Sequence, residues 1–170
     1  MVPHNLIDYF AASATVAGAL IGLLFVSISL RYDAILGASA NDASRATAAA
    51  GFTGLVNALT ISLWALIPGD GLGYAAAVSA VLCVYRTLRL HVGRSGRRET
   101  SLASFLFSLA VFLTQLGTGT YLIVNPHSVS SVDVLAYTLF GAFASALSRS
   151  WALLEVGSGQ SSAPPASPKS

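Results

Sequence analysis

Two side-chain amides, Asn57 and Gln115, stand deep inside long apolar stretches and are the first candidates for chemistry in this sequence. The hydroxyls of Thr118 and Thr120 follow Gln115 closely. An amide offers donors and acceptors together, so Asn57, Gln115 and Thr118 could line a path for a partly dehydrated ion or a small neutral solute. They cannot relay protons. The plainer alternative is an interhelical hydrogen bond that fixes register, worth about 0.6 kcal/mol in an apolar bundle. In either case both amides belong in the protein interior, because an amide facing hydrocarbon leaves several polar groups unpaired.

The other chemistry-bearing residues are scattered. Asp8, Asp70 and Asp133 lie at one set of stretch ends, Asp33, Asp42, Glu99 and Glu155 at the other, and none lies mid-stretch. That removes paired-carboxylate acid–base chemistry and the intramembrane carboxylate that many ion-coupled carriers use. His4, His91 and His127 are far apart and have no metal-ligand spacing with cysteines or carboxylates. Cys83 is the one cysteine, so no intrachain disulfide can form, and it reads as a small buried hydrophobe. There is no G-x-S-x-G, HExxH, P-loop or GxGxxG motif. The expectation is a non-enzymatic protein with no catalytic residue, no metal and no cofactor.

The basic residues speak to placement. Five long apolar stretches divide the chain. Arg31 and Arg45 follow the first, Arg86, Arg89, Arg94, Arg97 and Arg98 surround the gap after the third, and Arg149 and Lys169 close the fifth. The regions around residues 1–8, 68–73 and 125–132 have no Lys or Arg. This is the positive-inside pattern, and it predicts an N-terminus outside and a C-terminus in the cytoplasm. Arg86 and Arg149 can snorkel from just inside the boundary. Arg86, Arg89, Arg94, Arg97 and Arg98 together form a candidate contact for anionic lipid.

Composition agrees. Charged residues are 9% of the chain, against about 25% in soluble domains, and mean hydropathy is +0.69. A net charge of +2, carried by arginines that track the gaps, gives no basic domain for nucleic acid. The residues before the first stretch lack the basic start of a secretory signal, so that stretch reads as a retained anchor.

The predicted elements are five transmembrane helices over residues 9–30, 46–67, 72–92, 101–124 and 132–154, an all-α integral membrane bundle in up-down order within a domain of residues 1–156. Asn41, Asp42 and Ser44 are candidate caps for the second helix. Pro68-Gly69-Asp70-Gly71 predicts a tight turn, and Asn125-Pro126 ends the fourth helix. Residues 157–170, rich in Gly, Ser, Pro and Ala, are expected to be a disordered cytoplasmic tail. Tyr9, Trp64, Tyr74, Tyr121 and Tyr137 fall at external ends, and Tyr32, Tyr85 and Trp151 at cytoplasmic ends, as interfacial anchors do. Gly117-Thr118-Gly119 is the one candidate for a local helix break.

Small residues recur on helix faces. Ala14, Gly18 and Gly22 form a GxxxG face on the first helix; Ala46, Ala50, Gly54, Ala58 and Ser62 form a ridge on the second; Gly141 and Ser145 repeat the idea on the fifth. Such faces let helix backbones approach closely, within one bundle or between subunits. Ala14, Gly18, Gly22, Gly54 and Ala58 are therefore the candidate packing residues. The expected role is interaction or accessory, with the bilayer and either itself or another membrane protein as partners; a small oligomeric channel or passive transporter is the alternative.

The segment AASATVAGALIGLLFVSISL, with SLWALIP at the end of the second helix, resembles a group of small bacterial multi-pass membrane proteins with an ALxGLLFV-type first helix. The resemblance implies a compact bundle of about five spans, and it implies no activity. The Ala- and Arg-rich, almost Lys-free composition looks like that of a high-GC bacterium, and with five expected spans the expected location is a bacterial inner (plasma) membrane.

Overall fold

Five helices follow one another: α1 (His4–Leu30), α2 (Asp42–Leu66), α3 (Leu72–Val92), α4 (Leu102–Val124) and α5 (Val129–Gly159). The computed structural model describes residues 4–30, 42–92 and 102–159. Arg31, Arg94, Arg97, Arg98 and Lys169 lie outside the described residues, as do Tyr32, Asp33, Glu99 and residues 160–170.

Four helices, α1, α2, α4 and α5, are long and apolar enough to cross a membrane, over Leu6–Leu30, Thr47–Leu66, Phe105–Val124 and Val129–Ser148. α3 differs in having Arg86 and Arg89 within its last two turns.

Helix ends reach further than the apolar pattern. α1 begins at His4 and α2 at Asp42, so polar first turns extend both helices past their apolar stretches. α5 runs on to Gly159, three residues into the segment expected to be a tail. Between Gly141 and Gly157 α5 has no glycine or proline to interrupt it, and it ends at Gly159. α4 is unbroken through Gly117-Thr118-Gly119, so the expected local break is not there.

Adjacent helices alternate in direction. One core cluster joins Phe10 of α1, Ile61 and Ala65 of α2, Leu72 and Ala76 of α3, Leu122 of α4, and Val132 to Leu139 of α5. The starts of α1, α3 and α5 thus share one end of the bundle with the finishes of α2 and α4. A second cluster, Leu24, Leu55 and Ala146 with Phe52 and Ile28, fills the other end between α1, α2 and α5. At the first end, Gly69 takes φ +138°, which favours glycine and lets the short link between α2 and α3 turn back. At the second link, Ser128 N–H donates to Asn125 O at 3.1 Å, closing the turn between α4 and α5.

α2, α3, α4 and α5 pack in that cyclic order, α5 returning to α2, and α1 lies outside this ring against α2 with an edge on α5. The packed positions are small: Ala48, Ala58, Ala65, Ala76, Ala80, Ala142 and Ala146 are all buried. Without a hydrophobic drive between helices in lipid, such residues gain stability by letting backbones approach.

Candidate functional site

Asn57 and Gln115 meet at the centre of the four-helix ring. They are 3% and 1% exposed, and they come from α2 and α4, which sit on the ring's diagonal. Asn57 Nδ2 donates to Gln115 Oε1 at 2.8 Å, and Gln115 Nε2 donates back to Asn57 Oδ1 at 3.2 Å. Gln115 Nε2 also lies 3.1 Å from Ala76 O and 3.0 Å from Ser79 Oγ on α3. Ser79 Oγ donates in turn to Ala76 O at 3.2 Å. One buried knot therefore ties three helices. Its polar groups are engaged with one another, as a buried network must be if it is to hold a structure rather than cost it.

Thr118 is not part of this knot. Its hydroxyl donates to Thr114 O at 2.8 Å, along its own helix. Thr120 does the same to Leu116 O. Such back-bonding satisfies a hydroxyl within its own helix and leaves nothing aimed at a shared path. Among the described residues, Ser62 is fully buried and its Oγ has no hydrogen-bond partner. It occupies the last position of the small-residue ridge on α2.

The small-residue faces divide into filled and open. A Cβ on Gly54 would lie 3.8 Å from both Ala142 O and Ala146 Cβ, and Ala58 beside it is fully buried, so this face of α2 packs on α5. A Cβ on Gly141 would lie 3.4 Å from Val111 Cγ2. The closest helix crossing belongs to two glycines that the sequence did not mark for packing. A Cβ on Gly73 would come within 2.9 Å of Ile123 N, and one on Gly119 within 2.7 Å of Ala77 N. These approaches are to backbone, so α3 and α4 can lie this close only with glycine at both positions. Gly18 and Gly22 are the reverse case: both are exposed, and a Cβ on either would meet nothing within 4 Å. Ala14, one turn earlier, is half-buried.

The aromatic residues expected as external anchors sit at the end of the bundle where α1 begins. Trp64, Tyr74, Tyr121 and Tyr137 are exposed there, and Tyr85, expected at the other side, is exposed near the finish of α3. Tyr9 instead turns inward, and its hydroxyl donates to Ala136 O at 2.8 Å, strapping α1 to α5. Phe25 and Phe52 meet edge-on, 5.7 Å between centroids, and fasten α1 to α2 nearer the opposite end.

At that opposite end, Arg86 and Arg89 are exposed on α3. Cys83, one turn earlier, is buried. Among the described residues no three His, Cys, Asp or Glu side chains converge as metal ligands do. The chain matches no protein-family model, no curated protein and no solved structure.

Proposed function

We propose that this chain is a five-span protein of a bacterial inner membrane, N-terminus outside and C-terminus in the cytoplasm, belonging with the small membrane proteins that its first helix resembles. Its role is non-enzymatic: α1 offers the Ala14–Gly18–Gly22 face to a transmembrane helix of another subunit, either a second copy or a larger membrane protein.

Connectivity supports the fifth span. α2 and α4 finish at the same end of the bundle, so if both cross, the chain must return between them. α3, with 21 residues, covers about 30 Å at 1.5 Å per residue. Arg86 and Arg89 then lie at the cytoplasmic boundary, which accounts for their presence in a crossing helix.

One observation carries the role. Gly18 and Gly22 are open and stand four apart on one face, whereas Gly54, Gly73, Gly119 and Gly141 are each met by a neighbouring helix; Gly117 of α4 is open as well but stands without a second open glycine one turn away. An exposed GxxxG on an apolar helix is a surface that a second helix can approach closely. The channel reading has less support, because Asn57 and Gln115 are bonded to each other and Thr118 to its own helix.

The test is gentle extraction of the full chain from native membranes with a C-terminal tag, then the mass and composition of the complex. Wild type should carry a stoichiometric partner or a defined number of copies. Gly18→Leu and Gly22→Leu should lose it while keeping wild-type thermal stability, since neither side chain meets the bundle. Normal assembly of both variants would exclude this face.

A further inference from the structure

We infer that the outer face of α3 binds an anionic phospholipid of the leaflet at its C-terminal end, with Arg86 and Arg89 holding the phosphate. This rests on the membrane placement above but is independent of the α1 docking face.

α3 turns Leu72, Gly73, Ala76, Ala80 and Cys83 inward, and all are buried. Its outward residues form two columns at four-residue spacing. Val78, Leu82 and Arg86 make one, and Val81, Tyr85 and Arg89 make the other; all six are exposed. Residues three and four apart on a helix are surface neighbours, about 5–6 Å between Cβ atoms. Each column is therefore an apolar track ending in a guanidinium, and the two guanidinium groups are themselves neighbours. An acyl chain lies along Val78 and Leu82 or along Val81 and Tyr85, and the phosphate sits where the two columns end. Arginine suits that phosphate because its planar fork gives paired donors.

Asp8, Asp70 and Asp133 belong to the opposite end of the bundle, whereas Asp42 begins α2 and Glu155 lies near the finish of α5, at the arginine end. Both guanidinium groups are on the exposed side of α3. Two neighbouring guanidinium groups at the end of an apolar face are costly in hydrocarbon, and a phosphate relieves that cost. Near an anionic leaflet each contributes about fivefold in preference.

The full chain is reconstituted in phosphatidylcholine vesicles with trace spin-labelled phosphatidylglycerol or spin-labelled phosphatidylcholine, and the motionally restricted fraction of each probe is compared. Wild type should restrict the anionic probe severalfold more than the zwitterionic one. In the Arg86→Gln/Arg89→Gln variant that selectivity should fall markedly. Arg94, Arg97 and Arg98 remain in this variant, so diffuse attraction to the leaflet is retained and the loss reports the two helix positions. Arg86→Lys/Arg89→Lys, which keeps charge without the fork, should fall between. Equal restriction of both probes by wild type, or undiminished selectivity in the Gln variant, overturns the lipid site. Failure of the chain to restrict either probe would instead overturn the membrane placement itself.

Discussion

The carboxamides of Asn57 and Gln115 bond to each other in both directions across the diagonal of a four-helix ring, at 2.8 and 3.2 Å. Helices on a diagonal share little direct packing, so this pair is what relates α2 to α4. Replacing either residue with Leu strands the other amide in an apolar centre, at a cost of about 1–3 kcal/mol. Replacing both removes the stranded group. The double variant should therefore lose less than the sum of the singles, with a coupling of about 0.6–1.7 kcal/mol. Unfolding in detergent of the four proteins measures it, and strict additivity would mean that the pair does not act as one unit.

The glycines supply a contrast within one molecule. Gly119→Ala puts a methyl group 2.7 Å from Ala77 N, and Gly73→Ala puts one 2.9 Å from Ile123 N. Both obstacles are backbone, so α3 and α4 must move apart, costing about 1–3 kcal/mol as overpacking does. Gly18→Ala and Gly22→Ala meet nothing and remove a flexible residue from a helix, so the isolated chain should be unchanged or slightly more stable. Thermal midpoints of the four single variants in one detergent decide it. Similar losses at all four sites would contradict the difference between filled and open faces.

Much of this arrangement was legible in the sequence, and the rest was hidden for physical reasons. α3 was bounded at residues 72–92 because turn residues precede it and a basic segment follows. The inward direction of Asn57 and Gln115 followed from the cost of an amide in hydrocarbon. The same reasoning, carried one turn further, finds Gly119: it lies four residues after an inward Gln115 and shares its face. Read instead as a helix breaker, it was missed as a crossing point. Gly18 and Gly54 look alike in sequence, because α1 is apolar on every side and period alone cannot say which side meets the bundle. The C-terminal reach of α5 was hidden because leaving an apolar environment does not by itself unwind a helix.

Ser62 gives a prediction of opposite sign. Its hydroxyl is fully buried and unbonded, and an unmatched polar group in an apolar interior is a net cost. Ser62→Ala keeps the small volume of the ridge and removes that cost, so stability should rise, by about 1 kcal/mol. Ser62→Val keeps the apolar gain but adds bulk between packed helices, and it should be destabilising. If Ser62→Ala is clearly destabilised, the hydroxyl has a partner that matters to the fold.

The alternating helix directions make topology testable one position at a time. Pro68 and His127 are exposed in the links at the end where α1 begins, and Arg89 is exposed on α3 toward the opposite end. In a chain lacking the buried Cys83, Pro68→Cys and His127→Cys should react with a membrane-impermeant maleimide added to intact cells. Arg89→Cys should react only after the membrane is opened. The comparison of positions 68 and 89 isolates α3: if both react from the same side, α3 does not cross. If positions 68 and 127 react only after opening while 89 reacts in intact cells, the crossings of α3 and α4 stand but the orientation is inverted. That result would put the arginines outside and remove the charge argument for a cytoplasmic C-terminus.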